Sequence, residues 1–232
     1  MSGEDNREIS VECKIITINS FPKYKNELQK KKLIIVEGKD DLYFINYYLK
    51  HLEIMDIEVR PIEGKIDTGN LEPFIKIHRN FRELEGIGFI SDADNISACQ
   101  EYQRLTTVIN ELNGTPPISG LRLESPDYIG EFSPGPPRIG IYVLPNNSDK
   151  GRLEDLFLNC VKNKPGMKCV RPFFECVLTL SDPPKNYAKA KALAFIATQS
   201  ALPRGVGGAA QHGIWDFDSS ELVKLKTFIK KL

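Results

Sequence analysis

Short apolar runs that end on an acid or a glycine set the terms for everything else in this chain. Leu33 to Val36 form four consecutive apolar residues that run straight into Glu37-Gly38, and a helix-like pattern starts within a few residues. A short apolar run bounded by glycine reads as a buried strand, and a strand covered on both faces reads as parallel. The plan recurs. Ile57-Glu-Val-Arg-Pro-Ile62 leads into Glu63-Gly64-Lys65-Ile66-Asp67, and Gly86-Ile-Gly-Phe-Ile90 into Ser91-Asp92-Ala93-Asp94-Asn95. Arg138-Ile-Gly-Ile-Tyr-Val-Leu144 leads into a loop that reaches Gly151-Arg152-Leu153-Glu154-Asp155. Apolar residues at three- and four-residue spacing predict helices between these runs, over 40–52 (Leu42, Ile45, Tyr48, Leu49, Leu52), 71–83, 96–112 and from about 153. Asp40 or Asp41 stands where a cap or a first-turn acid belongs.

Strands alternating with helices select an α/β fold built on a mainly parallel four-stranded sheet flanked by helices. Residues 1–30 read as an N-terminal strand (11–18) and connector, and 31–160 as the core. The Pro- and Gly-rich stretch 113–138 is an excursion from that core, a hairpin or a flap. Residues 161–232 read as a helical extension packed on the core, with helices over 170–180, 185–198 and 219–232 and a Gly-rich segment, 203–217, before the last.

Composition narrows the function. The 31 Lys and Arg balance 31 Asp and Glu, which argues against coating nucleic acid by bulk attraction and leaves room for a local basic face. No stretch of 18 apolar residues occurs, and the polar, acidic N-terminus is unlike a secretory signal; no membrane association and a cytoplasmic location are expected. The five cysteines form no C-x-x-C pair and read as reduced, buried or half-buried thiols. The three histidines are scattered, so a metal here would have to be held by carboxylates.

Those carboxylates gather at predicted strand ends: Glu37, then Asp92 and Asp94, then Glu154 and Asp155. Ligands and reacting groups of open α/β sheets collect at the carboxyl ends of strands. Residues i and i+2 of an extended chain point the same way, roughly 7 Å apart, so Asp92 and Asp94 are expected to share an ion. Oxygen-only donors of this kind suit Mg2+ or Mn2+. Two such ions about 3.5–4 Å apart can stabilise both the attacking and the leaving oxygen of a phosphodiester displacement. Lys39, Lys65, Lys150 and Arg152 stand near enough in sequence to meet phosphate, though each also reads as a solvated surface cation. The Glu63-Gly64-Lys65 turn nearly repeats Glu37-Gly38-Lys39. Two turns that each need glycine explain the repeat as well as phosphate binding does.

An apolar strand ending Val36-Glu37-Gly38-x-x-Asp41, followed by one ending Asp92-x-Asp94, resembles the Toprim domain shared by topoisomerases, bacterial primases, small RNA-maturation nucleases and the OLD (overcoming lysogenization defect) nucleases. Gly151-Arg152-Leu153-Glu154 resembles the Gly-x-x-Glu segment of the OLD-like branch, and Trp215-Asp216-Phe217 with its Gly/Ala-rich lead-in is similar to a set of small stand-alone Toprim proteins. The resemblance covers roughly 30–160. It implies Glu37 as general acid/base or metal ligand, Asp92 and Asp94 as a Mg2+-binding pair with catalytic roles, Asp41 as a further acid, and Glu154 with Asp155 as a second metal position. Asn95 follows the D-x-D where many members carry another acid or small polar residue, which bears on the second metal more than on the first. No tyrosine-nucleophile domain, zinc-binding primase module or G-x-x-x-x-G-K-[ST] occurs. The expectation is a Mg2+- or Mn2+-dependent nuclease of DNA or RNA, the effector of a phage-defence system with an ATPase partner, with a homodimer left open. The alternative is a non-catalytic nucleic-acid-binding or regulatory subunit with the same fold.

Overall fold

The computed structural model describes residues 26–113 and 122–232. The strand expected over 11–18 and the Pro116-Pro117 part of the excursion lie outside them. Four parallel strands, β1 (Lys32–Val36), β2 (Ile57–Pro61), β3 (Gly86–Asp92) and β4 (Arg138–Leu144), form one sheet in the order β2-β1-β3-β4. Helices α1 (Lys39–His51), α2 (Thr68–Ile77) and α3 (Ala98–Leu112) connect them, and α4 (Leu153–Val161) follows β4. Then come α5 (Met167–Val177), α6 (Tyr187–Ile196), α7 (Val206–Gln211) and α8 (Val223–Lys231). The chain thus has the expected α/β architecture with C-terminal helices.

Successive strand residues feed opposite faces, as the pleat requires. Ile34, Val36, Val59, Ile90, Tyr142 and Leu144 join α1 and all of α4 to α8 in one core. Leu33, Ile35, Ile87, Phe89, Ile141 and Val143 join α2 and α3 in the other. Both faces are covered, which is why the strands read as near-continuous apolar runs. Gly88 faces the first core, and a Cβ there would stand 3.2 Å from the Phe228 ring, so the glycine lets α8 lie close against the sheet.

Two helix boundaries differ from the sequence reading, while Asp40 and Asp41 stand in the first turn of α1 as expected. The N-cap of α1 is Gly38, while Asp41, three residues on, accepts from the Gly38 N–H at 3.0 Å. That is the acidic half of a capping box, with glycine in place of the usual serine or threonine. The helix expected over 71–83 is α2 plus a separate 3-10 turn, Phe81–Glu83. Asp67 caps α2 by accepting from Asn70 N at 2.9 Å, and Asn80 breaks the helix by exchanging two hydrogen bonds with the Leu28 backbone. The third helix starts at Ala98 rather than 96 because Ser97 caps it, accepting from Gln100 N. Of the described cysteines only Cys160 is buried; Cys99, Cys169 and Cys176 are exposed, and all four are free thiols. Among the described residues no helix is long and apolar enough to cross a membrane.

Candidate functional site

The strand order changes direction between β1 and β3, so the crevice beyond their carboxyl ends is the one the topology opens for a ligand. Val36 pairs with Ile90, which sets Glu37 level with Ser91. A cleft there is lined by Glu37, Asp41, Asp92, Lys39, Lys65 and Arg204 among others.

One side of the crevice is a wall of acids. Asp92, the last residue of β3, accepts from the first N–H of α4 at Leu153 (3.1 Å), so it sits at the positive end of that helix. Asp41 sits in the first turn of α1. Glu154, half-buried in the first turn of α4, bears on both. Burial pushes the Asp41 carboxyl up to about 7; the Gly38 N–H pulls it down, while the charges of Glu37, Asp40 and Glu154 add to the rise. Burial, then the charges of Asp41, Glu37, Glu154 and Asp94, push Asp92 well above the usual carboxylate range. Burial also raises Glu37, against the opposing pull of Ser91 and Lys65.

Glu37 leads into a polar chain that sequence reasoning missed. The Ser91 hydroxyl lies in hydrogen-bond contact with both Glu37 and Glu101, the latter at 2.6 Å. A serine has one proton to donate. Both Glu101 oxygens already accept from Arg104, at 2.8 and 2.5 Å. If Ser91 donates to Glu101, the Glu37 contact needs the proton that burial encourages Glu37 to keep. Arg104 also donates to Ile66 O at 2.8 Å, which ties down the loop carrying Lys65. Glu101 is fully buried, and its place on the inner face of α3 was the available sign, since a carboxylate buried there needs a partner.

The opposite side is a rim where acid meets base. The chain is not extended through Asp94, whose φ is +55°, so the alternation that was to align it with Asp92 is broken. Asp94 instead bonds through its N–H to Gly151 O at 2.8 Å, and its carboxylate takes Arg152 Nε at 2.6 Å and Lys65 Nζ at 3.0 Å. Lys65 also stands 3.5 Å from Glu37 and 3.9 Å from Glu101. Lys39 is exposed and pairs loosely with Glu63 at 3.6 Å. Asp155 caps α4, accepting from Arg152 N at 2.9 Å, and together with Lys150 lines a neighbouring cleft.

The C-terminal helices brace the wall. Gly207 N donates to Asp40 Oδ1 at 3.2 Å, and a Cβ on Gly207 would stand 2.5 Å from Asp40 O. Only glycine lets α7 come this close to the start of α1. Behind them Trp215 stacks on Phe44 (centroids 4.1 Å apart) and donates to Val206 O at 2.8 Å. The Gly/Ala-rich lead-in and the Trp-Asp-Phe motif are therefore packing devices that position Asp40 and Asp41. The same segment brings in Arg204, a cation between Pro203 and Gly205 that sequence reasoning passed over.

Whether these residues suit a divalent cation turns on charge and donor type. Four neighbouring carboxylates, all half-buried and two of them, Asp41 and Asp92, strongly raised, form an oxygen-only set whose repulsion a cation relieves. As they stand, Glu37 faces Ser91, Asp41 faces Gly38 N and Asp92 faces Leu153 N, and among the described residues no three such side chains are drawn together closely enough to hold an ion. The donor chemistry fits; coordination requires the wall's side chains to turn inward.

Fold and site define an α/β protein with a carboxylate crevice at the switch point of a parallel sheet. The chain belongs to the family described as protein of unknown function DUF3226, whose model matches residues 31–232. No curated protein matches it. Among solved structures it is similar to the C-terminal region of the Xanthomonas campestris pv. campestris OLD protein, at 13% identity and a TM-score of 0.47, covering 87% of this chain and 91% of that one. It is also similar to the C-terminal region of the Burkholderia pseudomallei OLD protein, at 17% identity and a TM-score of 0.43, covering 88% and 98%.

Proposed function

We propose that the protein is a divalent-metal-dependent phosphodiesterase acting on DNA or RNA, with Glu37 and Asp92 as its reactive acids and Asp94, held by Lys65 and Arg152, as the acid that a phosphate displaces. The observation that carries this reading is the convergence of Glu37, Asp41, Asp92 and Glu154 at one strand edge, rimmed by Lys65, Arg152 and Arg204. Glu37, Asp41, Asp92 and Glu154 would hold Mg2+ or Mn2+. Bound there, the cation supplies Lewis acidity and offsets the charge of a phosphodiester under attack. Lys65 and Arg152 stand ready to exchange Asp94 for a phosphate oxygen, and Arg152 offers the planar fork that suits it. Glu37, at the end of β1 and within reach of both Ser91 and Lys65, is the residue placed to serve as the general acid/base. The Toprim-like motifs described above support the same chemistry, and an ATPase partner and a phage-defence role come with that resemblance.

A second reading, a non-catalytic nucleic-acid-binding or regulatory subunit, draws support from one observation. Asp94 is already neutralised by Lys65 and Arg152, as in a site kept for binding rather than reaction. Incubating the protein with end-labelled single- and double-stranded DNA and RNA, with Mg2+, Mn2+ or EDTA, separates the two. The first reading expects metal-dependent fragments that Glu37→Gln and Asp92→Asn do not make. Binding without fragments under either metal selects the second.

A further inference from the structure

Beside the acid crevice, and sharing Asp94 and Arg152 with its rim, opens a second cleft of about 320 Å3. Lys150 and Gly151 of the β4–α4 loop line one side, and Lys185, Asn186 and Tyr187 at the start of α6 line the other. Lys150 and Lys185 are exposed cations. Asn186 fixes the turn by accepting from Lys189 N at 3.0 Å. The Tyr187 ring is held perpendicular to Phe174, centroids 5.2 Å apart, and stays 38% exposed at the cleft, with Lys191 Nζ 5.3 Å from its centroid, a contact that a stacking base would exchange. Arg204 lines the first cleft together with Asp40 and Asp41. Arg204 and Lys185, in the loops that lead into α7 and α6, therefore add to Lys65 and Arg152 around the acids, and a part-exposed aromatic ring lines the second cleft.

We propose that this cleft seats the strand next to the bond that is cut, and that the substrate is single-stranded. The backbone runs across Arg204, Lys65, Arg152, Lys150 and Lys185, and one unpaired base stacks on Tyr187. Cations that follow a backbone, joined to an aromatic ring that takes a base face, are the recognition chemistry of single strands. A duplex hides its base faces, and the cleft has the volume of a single small ligand rather than of a double helix. The inference rests on the phosphodiesterase reading for its substrate class, yet binding tests it without catalysis.

Fluorescence anisotropy in EDTA with a labelled oligothymidylate of about 12 nucleotides, within the span such sites cover, and with a duplex of the same length, provides the test. The full chain is expected to prefer the single strand. Lys185→Glu and Tyr187→Ala each weaken its binding by about fivefold or more, and Tyr187→Phe retains it. Lys230→Glu, on α8 whose end packs against the start of β3 at the opposite edge of the sheet, leaves it unchanged. Since Tyr187 packs on Phe174, exposed Lys185 serves as the variant that leaves the fold intact. Equal binding of strand and duplex, wild-type binding by Lys185→Glu, or an equal loss in Lys230→Glu overturns the proposal. Strand binding that Lys185→Glu loses, in a protein that cleaves nothing, supports it while overturning the catalytic reading.

Discussion

Asp92 and Asp94 flank a single alanine, yet one belongs to the wall of the site and the other to its rim. Asp92 is half-buried beside Asp41, Glu37 and Glu154 and is driven toward its neutral form, whereas Asp94 is clasped by Arg152 and Lys65. The backbone makes the difference: β3 ends at Asp92, and a left-handed Asp94 turns the next carboxylate toward the Gly151 loop. The wall concentrates negative charge that calls for a cation, and the rim holds positive charge that an anion can take over. A phosphodiester held by a metal needs both, side by side.

The largest effect is expected on the wall. Asp92→Asn should lower metal-dependent cleavage by more than about a hundredfold, beyond what loss of an outer partner costs a metal site; gel assays of initial rate measure it. On the rim, Arg152→Ala should act more weakly and mainly on substrate binding, raising KM by about tenfold, the scale of one charge-assisted hydrogen bond, with kcat less affected. Equal losses in the two variants would erase the distinction between wall and rim.

Acidity offers a gentler probe. A carboxyl raised by folding contributes stability that is full below its unfolded value and lost as pH rises through its folded value. For Asp41 that window runs from the ordinary value of 3.8 to about 7. In EDTA the melting temperature should therefore fall across that range, and Mg2+ should restore more of it at pH 8 than at pH 5. Differential scanning calorimetry reads both. The smallest effect is expected behind the wall. Gly207→Ala forces a methyl against the Asp40 backbone, an overpacking cost of about 1–3 kcal/mol, which for a chain of this size lowers Tm by about 2–12 °C.

The scaffold was legible because a parallel sheet covered on both faces leaves uninterrupted apolar runs, and Leu33 to Val36 and Arg138 to Leu144 are such runs. Glu37 and Asp92 could be placed at strand ends for the same reason. The position of Asp94 could not, because it depends on one backbone dihedral rather than on strand alternation. Ser91, Glu101 and Arg104 escaped notice because their meaning lies in contacts across three elements, not in spacing. The Trp-Asp-Phe motif stood out in sequence, but its physical role appears only when Trp215 stacks on Phe44 and Gly207 meets Asp40.

The central claim is that the wall, and not the rim, binds a divalent cation. Titrating the protein with Mn2+ and following free ion by electron paramagnetic resonance tests it most directly. Saturable binding by the wild type that Asp92→Asn loses and Asp94→Asn retains is the predicted result. Undiminished binding by Asp92→Asn, or no saturable binding by the wild type, would contradict it.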